Sequence, residues 1–259
     1  MNISSNSILM YKFRQNYEKS GFFGLAKKTI LILWIIINNF FVGIFKVKKI
    51  NYRGVIGEIY NRSRKHTDIN THLINIFTEG LITSPNLVVE LGTRGGESTF
   101  ALEKVAETSG AFMVCVDLND CSGACIYPKT FFVQSDDIKF GNDFRKWCKS
   151  KNIPAQIDLL FIDTNHEFEH TKLEIETYFP LLSKKATVIF HDTNQRIVFR
   201  RSDGTLGYGE TSERRVIAAI ESYLEENFNE RKDFIAIKNN WLIKHWANCN
   251  GLTVIRKFK

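Results

Sequence analysis

The sequence contains few cysteines and no pair of CxxC motifs of the kind that holds structural zinc. Its five cysteines are an odd number, which argues against a disulfide scaffold and favours a reducing, cytoplasmic compartment. Internal repeats and low-complexity tracts are also absent. We therefore expect an ordinary globular protein, with one full-sized domain and an appendage in its 259 residues.

Most of the chain also lacks a net charge. Residues 61–259 carry 26 basic and 26 acidic side chains, so the formal charge of +7 belongs to residues 1–60. There, nine lysines and arginines stand against Glu18 and Glu58. A neutral body argues against nucleic acid as a partner. The basic excess flanks an apolar run, and this pattern favours an anionic membrane surface.

That apolar run, residues 29–45, is the only long one in the chain. As a helix it would extend about 25 Å, slightly less than the hydrocarbon core of a bilayer. No small-residue cleavage site follows it, so it does not resemble a signal peptide. Asn38 and Asn39 near its middle would be costly in lipid. We predict membrane contact, by a span or by a segment lying in the membrane; the alternative is a helix packed on the domain or in a dimer interface.

From residue 66 onward, strand and helix patterns alternate. We predict a domain over 66–259 after a basic, apolar extension over 1–65. The predicted strands are 87–90, 111–117, 130–134, 157–162, 186–190, 233–238 and 252–256. The predicted helices are 68–78, 97–108, 140–151, 167–182 and 212–227. Such alternation indicates an α/β fold whose mostly parallel sheet is covered on both faces.

A glycine-rich turn follows the first strand of the domain, in the sequence VVELGTRGGEST over 88–99. Glycines allow a ligand close to the backbone, and the next helix presents free N–H groups. Glu90 at the strand end suits a cationic ligand end, such as the amino group or sulfonium of adenosylmethionine, and would repel a pyrophosphate. Asp117 ends the next strand, where a carboxylate can accept hydrogen bonds from ribose hydroxyls. The rival interpretation, a nicotinamide-binding domain, is disfavoured because the spacing is not GxGxxG.

Two further acidic clusters end neighbouring strands. Asp163 follows the strand 157–162, and His191 with Asp192 ends the next one. Open α/β sheets place their sites at these strand ends. Two carboxylates and a third ligand can hold Mg²⁺, which lowers the pKa of a bound hydroxyl. His166, three residues after Asp163, could then remove the proton. The bland alternative is that these acids cap helices and turns.

The segments ELGTRGGEST, VDLND, LLFIDTNHEFEHTKLEIETYFPLL and ATVIFHDT resemble the metal-dependent class I O-methyltransferases of the macrocin and mycinamicin type, a group that includes proteins labelled cephalosporin hydroxylase-like. The resemblance covers about residues 66–257. It implies a doubly wound, mostly parallel, seven-stranded Rossmann-like sheet with an N-terminal helical extension. It implies His166 as the base and Asp163 and Asp192 as metal ligands, and we expect His191 to be the third ligand. The expected cofactor-binding residues are Glu90, Gly92, Thr93, Gly96, Ser98, Asp117, Ser135 and Asp136.

The sequence departs from this family at two points. His191 stands where the macrolide-sugar enzymes have glutamate, which could favour Mn²⁺ over Mg²⁺ or weaken metal binding. Arg94 and Gly95 interrupt the usual glycine pattern. The long segment 193–211 contains Arg196, Arg200, Arg201 and Tyr208. It is interpreted either as a lid whose arginines pair with an anionic acceptor or as a mobile surface loop with solvated charges.

The expected activity is transfer of a methyl group from S-adenosyl-L-methionine to a hydroxyl of a sugar or glycan, with a divalent metal, Mg²⁺ or Mn²⁺. We expect a cytoplasmic protein that associates with membranes through residues 29–45 and that could form a homo-oligomer. The alternatives are a non-catalytic binding or scaffold protein of the same fold and a nicotinamide-dependent sugar-modifying enzyme. The second lacks a Tyr-x-x-x-Lys pair.

Overall fold

The computed structural model describes residue 24, residues 26–43 and residues 52–258. The helices are α1 Ala26–Gly43, α2 Gly54–Ser63, α3 Leu73–Thr83, α4 Glu97–Ser109, α5 Asp137–Lys151, α6 Phe168–Tyr178 and α7 Arg215–Leu224. The strands are β1 Leu87–Leu91, β2 Phe112–Asp117, β3 Thr130–Gln134, β4 Ile157–Ile162, β5 Leu182–His191, β6 Val198–Arg200, β7 Leu206–Tyr208, β8 Phe234–Lys238, β9 Trp241–Trp246 and β10 Leu252–Lys257.

The main sheet has the order β3-β2-β1-β4-β5-β10-β9-β8. Strands β1 to β5 are parallel, and β10, β9 and β8 are antiparallel to their neighbours. The predicted α/β class and mostly parallel sheet are confirmed. The predicted number of strands is wrong, because the sheet has eight strands instead of seven.

The additional strand is β9, which the sequence pattern hides. Lys244 and His245 look like solvent-exposed residues, but His245 is buried on the inner face of the strand. Its Nδ1 is 2.8 Å from Thr253 Oγ1, and its Nε2 is 2.8 Å from the carbonyl oxygen of Glu230. Since both ring nitrogens have partners, the imidazole can occupy an apolar layer.

Two apolar layers cover the sheet. Val88 and its equivalents on neighbouring strands pack against α2, α3 and α4, whereas Val89 and its equivalents face α5, α6 and α7. This alternation is the period of a strand buried on both faces. Ile59 on α2, which precedes the predicted boundary at residue 66, is fully buried in the first layer.

Three predicted helices are displaced or shortened, and one of them is α7, which covers only 215–224 of the predicted 212–227. Helix α3 begins at Leu73 after a short 3₁₀ turn, five residues later than predicted, and ends at Ser84 with a left-handed backbone. Helix α6 ends at Tyr178, and a 3₁₀ turn containing Pro180 replaces its predicted last turn. Proline lacks an N–H and fits the start of such a turn better than a helix interior.

Strand order reverses between β1 and β4, and this point defines the site. The chain leaves both strands at the same sheet edge, where Gly92 and Asp163 follow them. Asp163 N donates to the carbonyl oxygen of Leu91 at 2.9 Å, so the two strand ends are tied together. A crevice outside the strand ends at such a reversal is the usual ligand site of open α/β sheets.

Candidate active site

Three adjoining cavities lie at this sheet edge. The first, about 370 Å³, is lined by Gly92, Arg94, Val116, Asp117, Leu118, Asn119, Ser135, Asp136, Asp137, Asp163, Thr164, Asn165 and His170. The second, also about 370 Å³, lies across the glycine turn and is lined by Thr67, Asp68, Ile69, Gly92, Thr93, Arg94, Gly95, Glu97, Ser98, Asp163, Phe199, Arg201 and Tyr208. The third, about 450 Å³, is lined by Asp68, Arg94, Thr164, Asn165, His166, Asp192, Gln195, Tyr208, Gly209, Glu210, Thr211 and Asn250.

Asp117 fastens the glycine turn to the end of β2. Its Oδ2 accepts the backbone N–H groups of Thr93 and Arg94 at 3.0 and 2.9 Å, and its Oδ1 accepts that of Asn119 at 2.8 Å. Partial burial opposes ionisation, but these donors outweigh it and lower the pKa of Asp117. The carboxylate therefore stays charged at the wall of the first cavity and holds the turn in place.

Glu90 lies beneath the same turn and is fully buried. Its two oxygens accept the hydroxyls of Ser98 at 2.6 Å and Thr99 at 2.8 Å. Burial raises the pKa of Glu90 to about 7, although the hydroxyl bonds oppose the shift. Glu90 does not line any of the three cavities, so the predicted direct contact with the cofactor would require one hydroxyl to turn away.

The predicted metal ligands converge. Atoms of Asp163, His191 and Asp192 lie within 4.8 Å of one another, and all three residues are buried. His191 Nδ1 is 3.3 Å from Asp163 Oδ1 and 3.6 Å from Asp192 Oδ2. His166 Nε2 lies 2.9 Å from each of the same two oxygens. The fold thus brings the predicted base and all three predicted ligands into one acid–histidine cluster.

Backbone conformation and charge both distinguish this cluster. His166 and Asp192 have left-handed backbones, with φ of 60° and 54°; such conformations in non-glycine residues concentrate at functional sites. Burial opposes protonation of His166, but its bonds to the two carboxylates raise its pKa to about 10. As placed, His166 is a cation, and it can accept a proton only when the carboxylates are engaged elsewhere.

The cluster also contains buried polar atoms without partners. Among the described residues, Asp192 Oδ1 and His191 Nε2 have none. A buried carboxylate oxygen without a donor is costly. Two carboxylates and an imidazole form a donor set suited to a divalent cation with both oxygen and nitrogen ligands. The residues present therefore fit the implied metal.

The predicted lid is a short hairpin of β6 and β7. Arg201 is buried and donates to the carbonyl oxygens of Thr67 at 2.9 Å and Leu206 at 2.8 Å. Arg200 donates to the carbonyl oxygen of Gly204 at 3.1 Å. These two guanidinium groups thus hold the hairpin together. Tyr208, at the end of β7, lines both the second and the third cavity.

Comparison with known proteins agrees with this geometry. A family profile described as a methyltransferase domain matches residues 89–193, which include the glycine turn and the acid–histidine cluster. Residues 89–193 are thus similar to this methyltransferase domain. A curated relative, the uncharacterized protein y4gI of Sinorhizobium fredii, is 26% identical over 123 residues, which are 43% of this chain. That match spans only 14% of the relative's length.

Solved structures share the fold. The methyltransferase PaMTH1 of Podospora anserina, bound to S-adenosylhomocysteine (SAH), superposes with a TM-score of 0.51 at 13% identity, covering 82% of this chain and 91% of its own. An O-methyltransferase of Bacillus cereus, in complex with SAH, gives 0.50 at 13% identity over 87% and 99%. MycE of the mycinamycin pathway, in complex with Mg, SAH and mycinamycin VI, gives 0.50 at 13% identity over 80% and 55%. The expected methyltransferase fold is confirmed.

The other predicted cofactor residues surround the glycine turn. Ser135 and Asp136 line the first cavity, and Thr93 and Ser98 line the second. Gly96 caps α4 with a left-handed backbone of φ 78°. A side chain there would meet Ala124 Cβ at 2.7 Å, so packing already requires this glycine.

Sequence reasoning missed Arg94, a second acid–histidine cluster and most of the polar residues that line the third cavity. Arg94 lines all three cavities, although the sequence pattern suggested only that it interrupts the glycine motif. Asp137, His170 and Glu174 form a second cluster at the first cavity, with His170 Nε2 2.9 Å from Asp137 Oδ2. The i,i+4 spacing of His170 and Glu174 on α6 was a visible signal, but Asp137 comes from another helix.

Asp117→Ala is expected to weaken adenosylmethionine binding by about ten- to a hundredfold, because a lost charged hydrogen bond costs about 1.5–3 kcal/mol. Titration calorimetry measures the change. Asp120→Ala removes a nearby exposed carboxylate and serves as the matched control. Unchanged affinity in Asp117→Ala would contradict the proposed role of this residue. Binding of NAD in place of adenosylmethionine would contradict the assignment of adenosylmethionine as the cofactor.

Glu90→Gln is expected to change how stability depends on pH. A pKa raised on folding from 4.5 to about 7 means that the native state holds this proton more tightly than the unfolded chain. The resulting stability is fully present below pH 4.5 and is lost as the pH rises through 7. The variant should therefore gain up to about 3 kcal/mol over the wild type across this range. Urea unfolding at several pH values measures it, with Glu107→Gln on the exposed face of α4 as the control. A difference in stability between variant and wild type that does not vary with pH would show that folding does not change the pKa of Glu90.

Proposed function

We propose that this protein transfers a methyl group from S-adenosylmethionine to a hydroxyl of a sugar or glycan, with a divalent cation held by Asp163, His191 and Asp192. One observation carries the proposal: Asp163 lines the first two cavities and also belongs to the acid–histidine cluster. A cofactor beside the glycine turn would therefore lie next to the group that activates the acceptor. Such proximity supplies much of the rate in a two-substrate transfer.

The cofactor is proposed to occupy the first two cavities, which meet at Gly92. Asp117, already ionised, would accept the ribose hydroxyls with the lone pairs that the turn leaves unused. Ser135 and Asp136 also line the first cavity, where the adenine ring of the cofactor would lie. The backbone of the turn and Ser98 would face the amino-acid end in the second cavity.

Proton removal from the acceptor is assigned to His166. When bound, the cation would polarise the acceptor hydroxyl and lower its pKa. With Asp163 and Asp192 engaged in holding the cation, His166 would lose the two contacts that now keep it protonated and would release its proton to solvent. The neutral imidazole, at the rim of the third cavity, would then accept the hydroxyl proton through a ring nitrogen.

A sugar acceptor is supported by the third cavity. Its lining is rich in groups that hydrogen-bond to hydroxyls, including Asn165, Gln195, Glu210, Thr211 and Asn250. MycE, which shares the fold, was solved in complex with mycinamycin VI and Mg. A polar cavity beside a proposed base suits a polyhydroxylated acceptor better than an aromatic one.

We further propose that the protein is cytoplasmic and associates with membranes through α1, which contains the described residues 29–43 of the predicted segment 29–45. This helix is long and apolar enough to cross a membrane. Because adenosylmethionine is supplied in the cytosol, the catalytic domain is proposed to lie on the cytosolic side. The boundary at residue 66 and a homo-oligomeric state are likewise proposals.

Asp163→Asn tests the proposal for the metal. The change removes one negative ligand, so we expect Mn²⁺ affinity to fall by at least about a hundredfold and metal-dependent turnover to be lost. Adenosylmethionine affinity should stay within about threefold, because Asp117 and the turn hold the cofactor. Calorimetry with each ligand separately measures both. The control is Asp143→Asn, at an exposed position of α5. Full turnover after EDTA treatment would exclude a catalytic metal.

A further inference from the structure

Helix α1 contacts the catalytic domain along one narrow stripe. Its half-buried residues are Lys28, Leu31, Ile35, Asn38, Asn39 and Val42, which recur at helical spacing. Its exposed apolar side chains, on the remaining sides, are Ile30, Ile32, Leu33, Trp34, Ile36, Ile37, Phe40 and Phe41. Phe40 is 67% exposed and Ile30 is 68% exposed. A helix whose outward sides are apolar from Ile30 to Phe41 requires an apolar environment.

The two asparagines that argued against lipid have partners in the hairpin. Asn39 Nδ2 donates to the carbonyl oxygen of Leu206 at 2.9 Å, and Asn39 Oδ1 accepts the N–H of the same residue at 2.6 Å. Asn38 Nδ2 donates to the carbonyl oxygen of Gly204 at 3.3 Å. Because both amide groups hydrogen-bond to the hairpin, they do not prevent the opposite face of α1 from contacting hydrocarbon.

The orientation of α1 relative to a membrane follows from the length of the helix over which it contacts the hairpin. Lys28 Nζ lies 5.3 Å from the ring centroid of Tyr208, and Val42 lies beside Gly204. These contacts cover about 21 Å of a helix about 27 Å long. A helix crossing the bilayer would carry the hairpin into the hydrocarbon with it. The packed arrangement is therefore compatible with a helix lying along the membrane, not across it.

Charge favours a bilayer over a second copy of the chain. Lys27 is exposed at the start of α1, and the sequence places Lys46, Lys48 and Lys49 just after its end. Both ends are thus basic. A symmetric helix pair, parallel or antiparallel, would bring lysines against lysines. An anionic headgroup layer matches both ends at once.

We propose that α1 lies in the plane of an anionic membrane surface and fixes the β6–β7 hairpin there, so that the third cavity opens beside the lipid. Tyr208 connects the two, since it packs against Lys28 and lines that cavity together with His166 and Asp192. The acceptor class that fits is a sugar carried on a membrane lipid. This last step rests on the proposed function.

The first test uses the full-length protein and vesicles of phosphatidylcholine with phosphatidylglycerol. We expect flotation with these vesicles and less with phosphatidylcholine alone. Trp34, in the middle of α1, reports depth. Lipids brominated near the headgroup end of the acyl chain should quench it more than lipids brominated near the methyl end, with Trp34→Phe giving the background from other tryptophans. Stronger quenching by the deep bromines would show a spanning helix. A dimer that fails to float would show a second copy as the occupant. Either result would overturn the proposal.

The second test measures the coupling to the hairpin by hydrogen exchange. Vesicles should slow amide exchange over residues 198–208 by about tenfold in the wild type. Asn39→Ala should still float but lose this protection, whereas Leu33→Glu with Ile37→Glu should lose flotation and leave thermal stability unchanged. Protection that persists in Asn39→Ala, or none in the wild type, would contradict the coupling. Adenosylmethionine and Mn²⁺ affinities, measured without vesicles, report separately on the proposed function.

Discussion

The His166→Ala variant is expected to transfer methyl groups about 10²–10⁴-fold more slowly than the wild type, the usual contribution of a positioned general base. His166 is held 2.9 Å from Asp163 and from Asp192, at the rim of the third cavity. The first two cavities keep their lining in the variant, and Asp163, His191 and Asp192 all remain. Adenosylmethionine and Mn²⁺ should therefore bind as in the wild type.

The measurement combines transfer of a labelled methyl group to a sugar acceptor with calorimetry for each ligand. His66→Ala is the matched control, because His66 is an exposed histidine paired with Asp203 on the surface. A variant that turns over at the wild-type rate would remove His166 from the chemistry. A variant that no longer binds Mn²⁺ would make His166 a metal ligand instead of a base.

The Gly92→Ala variant should lose more than about 4 kcal/mol of stability, a size reserved for severe local disruption. Gly92 has φ of 88°, and a Cβ there would lie 2.0 Å from the carbonyl oxygen of Asp163. Because Asp163 N donates a hydrogen bond to the carbonyl oxygen of Leu91, the backbones of Gly92 and Asp163 cannot move apart without separating β1 from β4. The damage should reach both the glycine turn and the acid–histidine cluster.

Two other glycines separate the causes of this loss. Gly95→Ala meets nothing within 4 Å and should leave stability within about 0.5 kcal/mol. Gly110 has φ of 68° but also open space, so Gly110→Ala isolates the backbone cost of about 1–2 kcal/mol. Urea unfolding compares all three. If Gly92→Ala were no worse than Gly110→Ala, the close approach to Asp163 would not matter.

Much of the fold was predictable because the signals are local. Continuous apolar runs gave β3 and β4 at their observed bounds, and glycine with helix-start residues located α4. Strand β9 was missed because its buried His245 looks like a surface residue until its partners from Glu230 and Thr253 are known. The 3₁₀ turn after α6 was missed because apolar spacing continues through it.

The site was partly predictable for a different reason. Parallel strands end at one sheet edge, so polar residues that end neighbouring strands are expected to lie near one another. Asp163, His191 and Asp192 do so. The contacts of Asp117 with two backbone N–H groups, and of Glu90 with Ser98 and Thr99, follow from no spacing rule. They depend on how the turn folds back over the sheet.

The sequence by itself determined the α/β class, the glycine turn, the strand-end acids and the apolar character of α1, since each depends on residue type and short-range period. Only the tertiary structure decided that Asn38 and Asn39 bond to the hairpin, that Gly92 packs on Asp163, and that His166 lies between two carboxylates. Those facts join residues up to 167 positions apart. Contacts over such distances arise from the packing of whole elements, which no local pattern encodes.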